Sequence, residues 1–313
     1  MPVHWYYNTM DLDRDYPSLV PYEKPRNPHS GSILWRSRYS PKNPQADILH
    51  DQARFWGQRG IHYHQFLEAG ENTVNFLLAA ELHRFIVETG EYDETAWLNR
   101  YVSLMRQEGW HRDTYLEEYH RGFFENLAEG KELSQCGIDD RHIGGLTPVA
   151  ALLAALDAVG KINNRAELLE RVVSHVTLTH RNSSVAEACR ALGQMILAVA
   201  DGTGLRDAIA ANATGWIGAR KLEKLAKRED RDIVGRSYST ACYLPDSFTA
   251  SLCLAWKYHD DFSGGIVANA RCGGDNCHRG AVVGALLGSN NSIEPHWIDG
   301  LQSMERFDLA AAF

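Results

Sequence analysis

The sequence lacks three features that would tie it to a membrane or to a nucleic acid. No apolar run reaches the roughly 18 to 20 residues that a membrane-spanning helix needs. The N-terminus, Met1-Pro2-Val3-His4-Trp5, has neither the basic nor the apolar region of a signal peptide. Lysine and arginine form no basic run, and the net charge is −8. We therefore expect no membrane partner and no partner bound through nucleic-acid phosphates.

Cysteine is scarce, and no two of the six cysteines have Cys-x-x-Cys spacing. A zinc knuckle or a redox dithiol is therefore not indicated. Cys189 and Cys253 lie on apolar faces of predicted helices, which is typical of small core residues. Together these features predict a reducing compartment, most simply the cytoplasm.

Alternating strand patterns and fixed-period repeats are also missing. The chain has 313 residues, 44% hydrophobic and 23% charged, which suits one large globular domain or two ordinary ones. From about residue 45 the apolar residues recur at helical spacing. The predicted helices are Thr73–Glu88, Thr95–Glu108, Thr114–Leu127, Val149–Val159, Arg165–Thr177, Ser184–Ala200, Leu205–Asn212, Ser247–Tyr258, Phe262–Ala270, Cys277–Leu287 and Trp297–Ala311.

This pattern predicts an all-α fold, with a single compact domain of about ten or more helices over residues 45–313. Residues 1–44 are rich in proline and aromatic residues. Such dense proline excludes long helices, and such dense aromatic residues argue against simple disorder. We expect this segment to be extended and wrapped on the surface of the domain.

One stretch, Arg271 to Gly280, crowds chemically active side chains in front of a predicted helix. Glycines such as Gly274 allow close backbone approach, and a helix N-terminus offers unpaired N–H groups and a positive dipole. The stretch could hold an anion, a metal ligand or a reactive group. Alternatively, Asp275 or Asn276 merely caps the helix after a glycine turn.

Three further helix starts carry polar or glycine residues, and four such starts can converge on one pocket. Glu71 and Asn72 precede one helix, where the alternative is a first-turn glutamate with an ordinary cap. Of the two remaining helix starts, one contains Gly144, Gly145 and Thr147, and the other contains His180.

Cys277 and His278 are adjacent at a helix N-terminus, a setting that lowers the pKa of a thiol and can make a nucleophile. Adjacent side chains often point apart, so the two residues need not act together. The alternative is that Cys277 is a small buried residue.

The C-terminal third resembles the ADP-ribosylglycohydrolase family, all-α enzymes that remove ADP-ribose from proteins with a two-magnesium site. Residues 247–289 are similar to a helix pair followed by the family's Gly-Gly-Asp-x-Asp-Thr metal motif, here Gly-Gly-Asp-Asn-Cys-His at 273–278. Residues 293–301 resemble the Ile-Pro-x-x-Trp segment that follows it.

The resemblance extends over residues 45–305. Gly70-Glu71-Asn72-Thr73 takes the place of the family's Thr-Asp-Asp-Thr, and Thr179-His180 resembles a Thr-His near the adenosine-side ribose. Met1-Pro2-Val3-His4 resembles the continuation of an opening helix that would precede Met1, and His4 falls where many members have a gating glutamate.

The resemblance implies hydrolysis of a glycosidic bond of ADP-ribose or a related nucleoside. It implies catalytic roles for Glu71, Asp275, Cys277 and His278, and metal ligands at Glu71, Asn72 and Asp275. It implies substrate binding by His4, Gly144, Gly145, Thr147, His180 and Gly274. The substrate would be a small molecule or an ADP-ribosylated protein.

The chain departs from the family at the metal motifs. Cys277 and His278 replace an aspartate and a threonine, and a thiol is a poor ligand for Mg²⁺, which prefers oxygen. We therefore expect one Mg²⁺ ion or none rather than two. Different chemistry through Cys277 and His278, or a catalytically inactive member, remain alternatives.

Overall fold

The computed structural model describes residues 38–58, 64, 66–68, 70–162 and 164–307. Within these residues the chain forms fourteen α-helices, three 3₁₀-helices and three isolated β-bridges, with no strand. The prediction of an all-α fold is thereby confirmed. Most of the expected surface segment, up to residue 37, lies outside the described residues.

The helices follow one another with short connections. The α-helices are α1 Val74–Thr89, α2 Glu94–Met105, α3 Glu118–Ala128, α4 Val149–Val159, α5 Arg165–Thr177, α6 Ser183–Ala200, α7 Leu205–Asn212, α8 Ala219–Ala226, α9 Asp230–Ile233, α10 Asp246–Lys257, α11 Phe262–Cys272, α12 Asn276–Asn290, α13 Pro295–Ile298 and α14 Gln302–Arg306. The 3₁₀-helices are His50–Phe55, Leu133–Gln135 and Ile143–Leu146. None of the described helices is long and apolar enough to span a membrane.

Local sequence signals set several helix ends. Gly90 and Gly160 are left-handed and close α1 and α4, as their positions predict. Asn182 caps α6 by accepting a hydrogen bond from the Ser184 N–H. Thr147 is the C-cap residue of the 3₁₀-helix Ile143–Leu146, and Pro148 is the N-cap residue of α4.

Tertiary contacts move two other boundaries. The helix expected from Thr114 begins only at Glu118, because the preceding segment turns so that Asp113 accepts the Val74 N–H of α1 at 2.6 Å. The helix expected over 297–311 is broken between α13 and α14. There the Gln302 N–H donates to the carbonyl of Gly70 at 3.0 Å. The prediction also missed α8 and α9.

Helix α12 lies at the centre of the packing, against α6, α7, α10, α11 and the 3₁₀-helix Ile143–Leu146. Close approach explains its small-residue composition. A Cβ added to Gly265 of α11 would lie 2.3 Å from Cδ1 of Leu287 in α12, so a larger residue there would force the Leu287 side chain to move. The buried apolar side chains form one contiguous core on either side of α12. The polar N-terminus of α12 faces the starts of α1 and α3.

Candidate functional site

A strained glycine turn positions Asp275 at the start of α12. Gly273 and Gly274 both have positive φ, of 70° and 66°. A Cβ on Gly274 would lie 2.2 Å from the carbonyl oxygen of Thr240, and the next residue, Asp275, donates its N–H to that oxygen at 2.9 Å. Asp275 then caps the helix by accepting from the His278 N–H. The capping alternative is therefore correct, but the same carboxylate has further partners.

Arg279, which is only 1% exposed, braces this turn from inside the protein. Its Nε donates to Oδ1 of Asn269 at 2.7 Å, and its Nη2 donates to the carbonyl of Gly273 at 2.8 Å. Asn269 in turn donates to the carbonyl of Asn276 at 2.8 Å. Charged hydrogen bonds of this kind are stronger than neutral ones, so the turn and the start of α12 are held together.

The imidazole of His278 joins three separate parts of the chain. Its Nδ1 lies 2.9 and 3.0 Å from the two carboxylate oxygens of Asp275. Its Nε2 lies 3.4 Å from Oε1 of Glu117, at the start of α3, and 2.8 Å from Nδ2 of Asn75, in α1. The amide of Asn75 also donates to Oε2 of Glu117 at 3.2 Å.

The hydrogen bonds continue inward in one consistent direction. The Tyr101 hydroxyl donates to Nδ1 of His120 at 2.6 Å, and Nε2 of His120 donates to Oδ1 of Asn75 at 2.8 Å. In the neutral form of His278, Nδ2 of Asn75 can donate to its Nε2 while its Nδ1–H faces Asp275. In the protonated form, Nε2–H faces Oε1 of Glu117 instead.

Electrostatics separate the protonation states of the three central groups. Burial lowers the pKa of His278, but the carboxylates of Asp275 and Glu117 outweigh it and raise the pKa to about 9. Burial acts to raise the pKa of Asp275, but His278 and His142 bring it below its usual range. Burial raises the pKa of Glu117. Asp275 is therefore the carboxylate that stays ionised most readily.

Asp275 is also the end of the network that solvent reaches. Its side chain is 18% exposed, whereas those of His278 and Glu117 are at 7% and 9%. His142 stands beside it, with Nε2 at 3.8 Å from Oδ2 of Asp275, and the exposed ring of Tyr243 packs edge-on against His142.

Four of the predicted substrate-binding residues, Gly144, Gly145, Thr147 and His180, line one cavity of about 60 Å³. Asn75 also lines this cavity, so it borders the hydrogen-bonded network. A water molecule takes about 30 Å³, so the cavity has room for roughly two waters and not for a nucleotide.

Two buried polar atoms on this cavity have no partner among the described residues: Nε2 of His180 and Oγ1 of Thr147. The hydroxyl of Thr179 donates to the carbonyl of Val176, so it accepts from Nδ1 of His180 at 2.9 Å. Nε2 of His180 is then an unprotonated acceptor, and burial lowers the pKa of this ring well below its usual value. A hydroxyl group or a water would satisfy it.

The side chains of Glu71 and Asn72 have partners other than Asp275. Arg112 pairs with the Glu71 carboxylate, and Asn72 donates to the hydroxyl of Ser303 at 2.9 Å. Both residues line a separate pocket of about 170 Å³. His4 lies outside the described residues, and Gly274 shapes the turn before Asp275.

The starts of α1 and α12 do lie close together. The contacts are made by Thr73 and Asn75, not by Glu71 and Asn72, which the sequence suggested. The Thr73 hydroxyl lies 3.6 Å from Sγ of Cys277, and Asn75 contacts His278. Burial, and then the charge of Asp275, raise the pKa of Cys277 to about 12. The thiol is therefore protonated at neutral pH, the opposite of an activated nucleophile.

The three expected metal ligands do not fit a magnesium ion. Mg²⁺ requires near-octahedral oxygen ligands, but Glu71 is paired with Arg112, Asn72 bonds Ser303, and both oxygens of Asp275 face His278.

A second group of potential ligands, His142, Cys242 and Asp275, has ligand atoms within 4.8 Å of one another. Nδ1 of His142 accepts from the Gly144 N–H at 2.8 Å, so the proton of the neutral ring sits on Nε2, the nitrogen that faces Asp275. Burial, and then Asp275, raise the pKa of the Cys242 thiol. Both side chains carry a proton on the atom that would bind an ion, so coordination would first require these protons to be lost.

Sequence reasoning missed most of the network. The missed residues are Asn75, Glu117, His120, His142 and Tyr119, whose hydroxyl donates to Oδ1 of Asn75 at 2.6 Å. Four of them lie on or beside helices with no motif to mark them, and their partners are far away in the chain. His142 alone had a local signal, since it precedes the glycine pair at 144–145.

The described residues thus form an all-α fold in which an acid–histidine network lies where the N-termini of α1, α3 and α12 meet. A model of the ADP-ribosylglycohydrolase family matches residues 28–313, so the chain belongs to this family. A solved structure described as an ADP-ribosylglycohydrolase-related protein complex is similar, with a TM-score of 0.58 and 20% identity over 80% of this chain and 82% of that chain. At that identity the similarity shows the fold alone. None of the curated proteins compared with the chain matches it.

Proposed function

We propose that this chain hydrolyses a glycosidic bond of ADP-ribose or of a related nucleoside, with Asp275 as the carboxylate that acts on the sugar. Membership of a glycohydrolase family supports a hydrolase. The observation that carries the proposal is the position of Asp275, which is the solvent-reached, readily ionised end of an otherwise buried network.

The charge of Asp275 suits this reaction. Glycosidic cleavage passes through a transition state with positive charge on the sugar, which an ionised carboxylate stabilises. Water adds its hydroxyl to the anomeric carbon and its proton to the leaving group. Burial lowers the pKa of His142 to about 3, so the ring is neutral, and its Nε2–H can donate to a water or to the leaving oxygen. His278 and Glu117 act as positioning residues behind Asp275.

The small cavity supports a role in holding hydroxyl groups. Nε2 of His180 is a buried acceptor, and the Thr147 hydroxyl is a buried donor or acceptor, both without a partner among the described residues. Two ribose hydroxyls could satisfy them, with the rest of the ligand outside toward Asp275. The proposed substrate is a small molecule or an ADP-ribosylated protein. The six free cysteines support a reducing compartment such as the cytoplasm.

A thiol mechanism receives less support from the geometry, because Cys277 is protonated at neutral pH and its sulfur contacts Thr73. A catalytically inactive protein is the other alternative. The satisfied network behind Asp275 argues for a working site, since buried carboxylates are costly to keep without a use.

The test is calorimetric titration with ADP-ribose together with release of ADP-ribose from an ADP-ribosylated protein. Asp275→Asn should lower kcat about 100-fold or more, since it removes the stabilising charge. The control is Asp230→Asn, which removes a carboxylate paired with Lys257 on α10 and should leave kcat unchanged. Failure of the wild type to bind ADP-ribose, or full activity of Asp275→Asn, would contradict the proposal.

A further inference from the structure

A buried carboxylate and a partly buried one, from different elements, face the same imidazole. Asp275 is the N-cap residue of α12 and Glu117 is the N-cap residue of α3. Two carboxylates held close together in a buried site repel each other and lose hydration, so something must compensate them. A divalent cation is one solution, and a hydrogen-bond donor with two opposed nitrogens is another.

His278 provides the second solution. Its Nδ1 meets both oxygens of Asp275 at 2.9 and 3.0 Å, and its Nε2 lies 3.4 Å from Oε1 of Glu117. The remaining oxygen of Glu117 accepts from Asn75 at 3.2 Å. All four oxygens of the two carboxylates are therefore next to a nitrogen of the protein, and the ring stands between the two acids.

We propose that the side chain of His278 takes the place of a divalent cation between Asp275 and Glu117, and that the wild-type site binds no Mg²⁺. Glu71 and Asn72 do not complete such a site in this arrangement, since Glu71 pairs with Arg112 and Asn72 donates to Ser303. The inference goes beyond the proposed function. It concerns ion binding, so it holds whether or not ADP-ribose is the substrate.

The first experiment uses the whole wild-type chain and Mn²⁺, which replaces Mg²⁺ and whose free form has a strong EPR signal. We expect that adding protein leaves the free-ion signal unchanged, and that millimolar Mg²⁺ leaves the Tm unchanged. Stoichiometric loss of the free Mn²⁺ signal that Asp275→Asn abolishes would overturn the inference.

The second experiment removes the imidazole of His278 from between the two carboxylates. His278→Ala leaves the two carboxylates facing an open space, so Mn²⁺ should now bind and raise the Tm of the variant. A second variant, Cys277→Asp combined with His278→Thr, supplies a further carboxylate and should also gain Mn²⁺ binding if His278→Ala does not fold. The control is His175→Ala, which removes a buried imidazole bonded to Tyr92 and should gain none.

If both site variants fold and neither gains Mn²⁺ binding, His278 is not what keeps the ion out, and the inference is wrong. Loss of ADP-ribose binding by the wild type contradicts the proposed function but leaves this inference untouched. The two failures are therefore distinguishable.

Discussion

At the scale of single residues, the site depends on one imidazole whose two nitrogens have different partners. Nδ1 of His278 keeps its proton toward Asp275, while Nε2 can accept from Asn75 or carry a second proton toward Glu117. His278 can therefore exchange a proton without releasing Asp275. The stability of the protein should therefore depend on pH, and the raised pKa of His278 determines whether stability rises or falls with pH.

His278 should stabilise the fold most in its protonated form. Its folded pKa of about 9 exceeds the usual 6.5, so its contribution is fully present below pH 6.5 and is lost as the pH rises through 9. At about 1.4 kcal/mol per pKa unit, the free energy of unfolding of the wild type should fall by about 3 kcal/mol relative to that of His278→Asn over that range. Urea unfolding at a series of pH values measures the difference.

His175 provides a control of opposite sign. Burial lowers its pKa to about 3, so its effect on stability appears only as the pH falls below 6.5. The difference between wild type and His175→Asn should therefore be flat between pH 7 and 9.5. A flat profile for His278→Asn in the same range would contradict the raised pKa.

At the scale of elements, the turn before α12 determines where Asp275 points. Gly274 combines a positive φ with contact against Thr240, and Arg279 holds the neighbouring carbonyl of Gly273. The turn therefore needs glycine for two reasons, the backbone conformation and the absence of a side chain. These two reasons can be separated by experiment.

Gly274→Ala should destabilise the protein more than Gly90→Ala. Both glycines have a positive φ, 66° and 71°, but nothing lies within 4 Å of a Cβ on Gly90. Gly90→Ala should cost only the conformational term of about 1 to 2 kcal/mol. Gly274→Ala adds the clash with Thr240, so we expect at least about 2 kcal/mol more, together with loss of the proposed ADP-ribose cleavage. Equal changes in the midpoint of unfolding would refute the close contact.

At the scale of the whole molecule, the buried apolar side chains of the described residues form one contiguous cluster, so we expect the helices that share it to unfold together. All six cysteines are free, and four of them, Cys136, Cys189, Cys253 and Cys272, are buried in different helices and loops. Burial raises the pKa of each of these four thiols. Their reactivity therefore reports on opening of the entire fold.

Alkylation at neutral pH should be slow for the native protein and should reach all six thiols together at the midpoint of denaturation. Cys277 should behave like the buried thiols, because its pKa is raised to about 12. Mass spectrometry of wild type and Cys277→Ser assigns the labelled position. Rapid native labelling of Cys277 would revive the thiol mechanism in place of the carboxylate one.

The sequence by itself determined the all-α class and many helix ends, because periodicity and caps such as Gly90, Gly160 and Asn182 act over a few residues. It also marked Asp275, since a glycine turn before a helix is a local signal. The sequence also predicted a metal site shared by Glu71, Asn72 and Asp275, but it did not reveal that Glu71 pairs with Arg112 and that Asn72 donates to Ser303.

Only the tertiary structure decided which side chains surround Asp275. Glu117 lies 42 positions after Asn75, and His278 lies 161 positions after Glu117. The three side chains are nevertheless in contact. Such contacts depend on how α1, α3 and α12 pack, and helix packing follows from the whole core rather than from any short pattern. The same packing placed His278 between two carboxylates, which no spacing in the sequence could indicate.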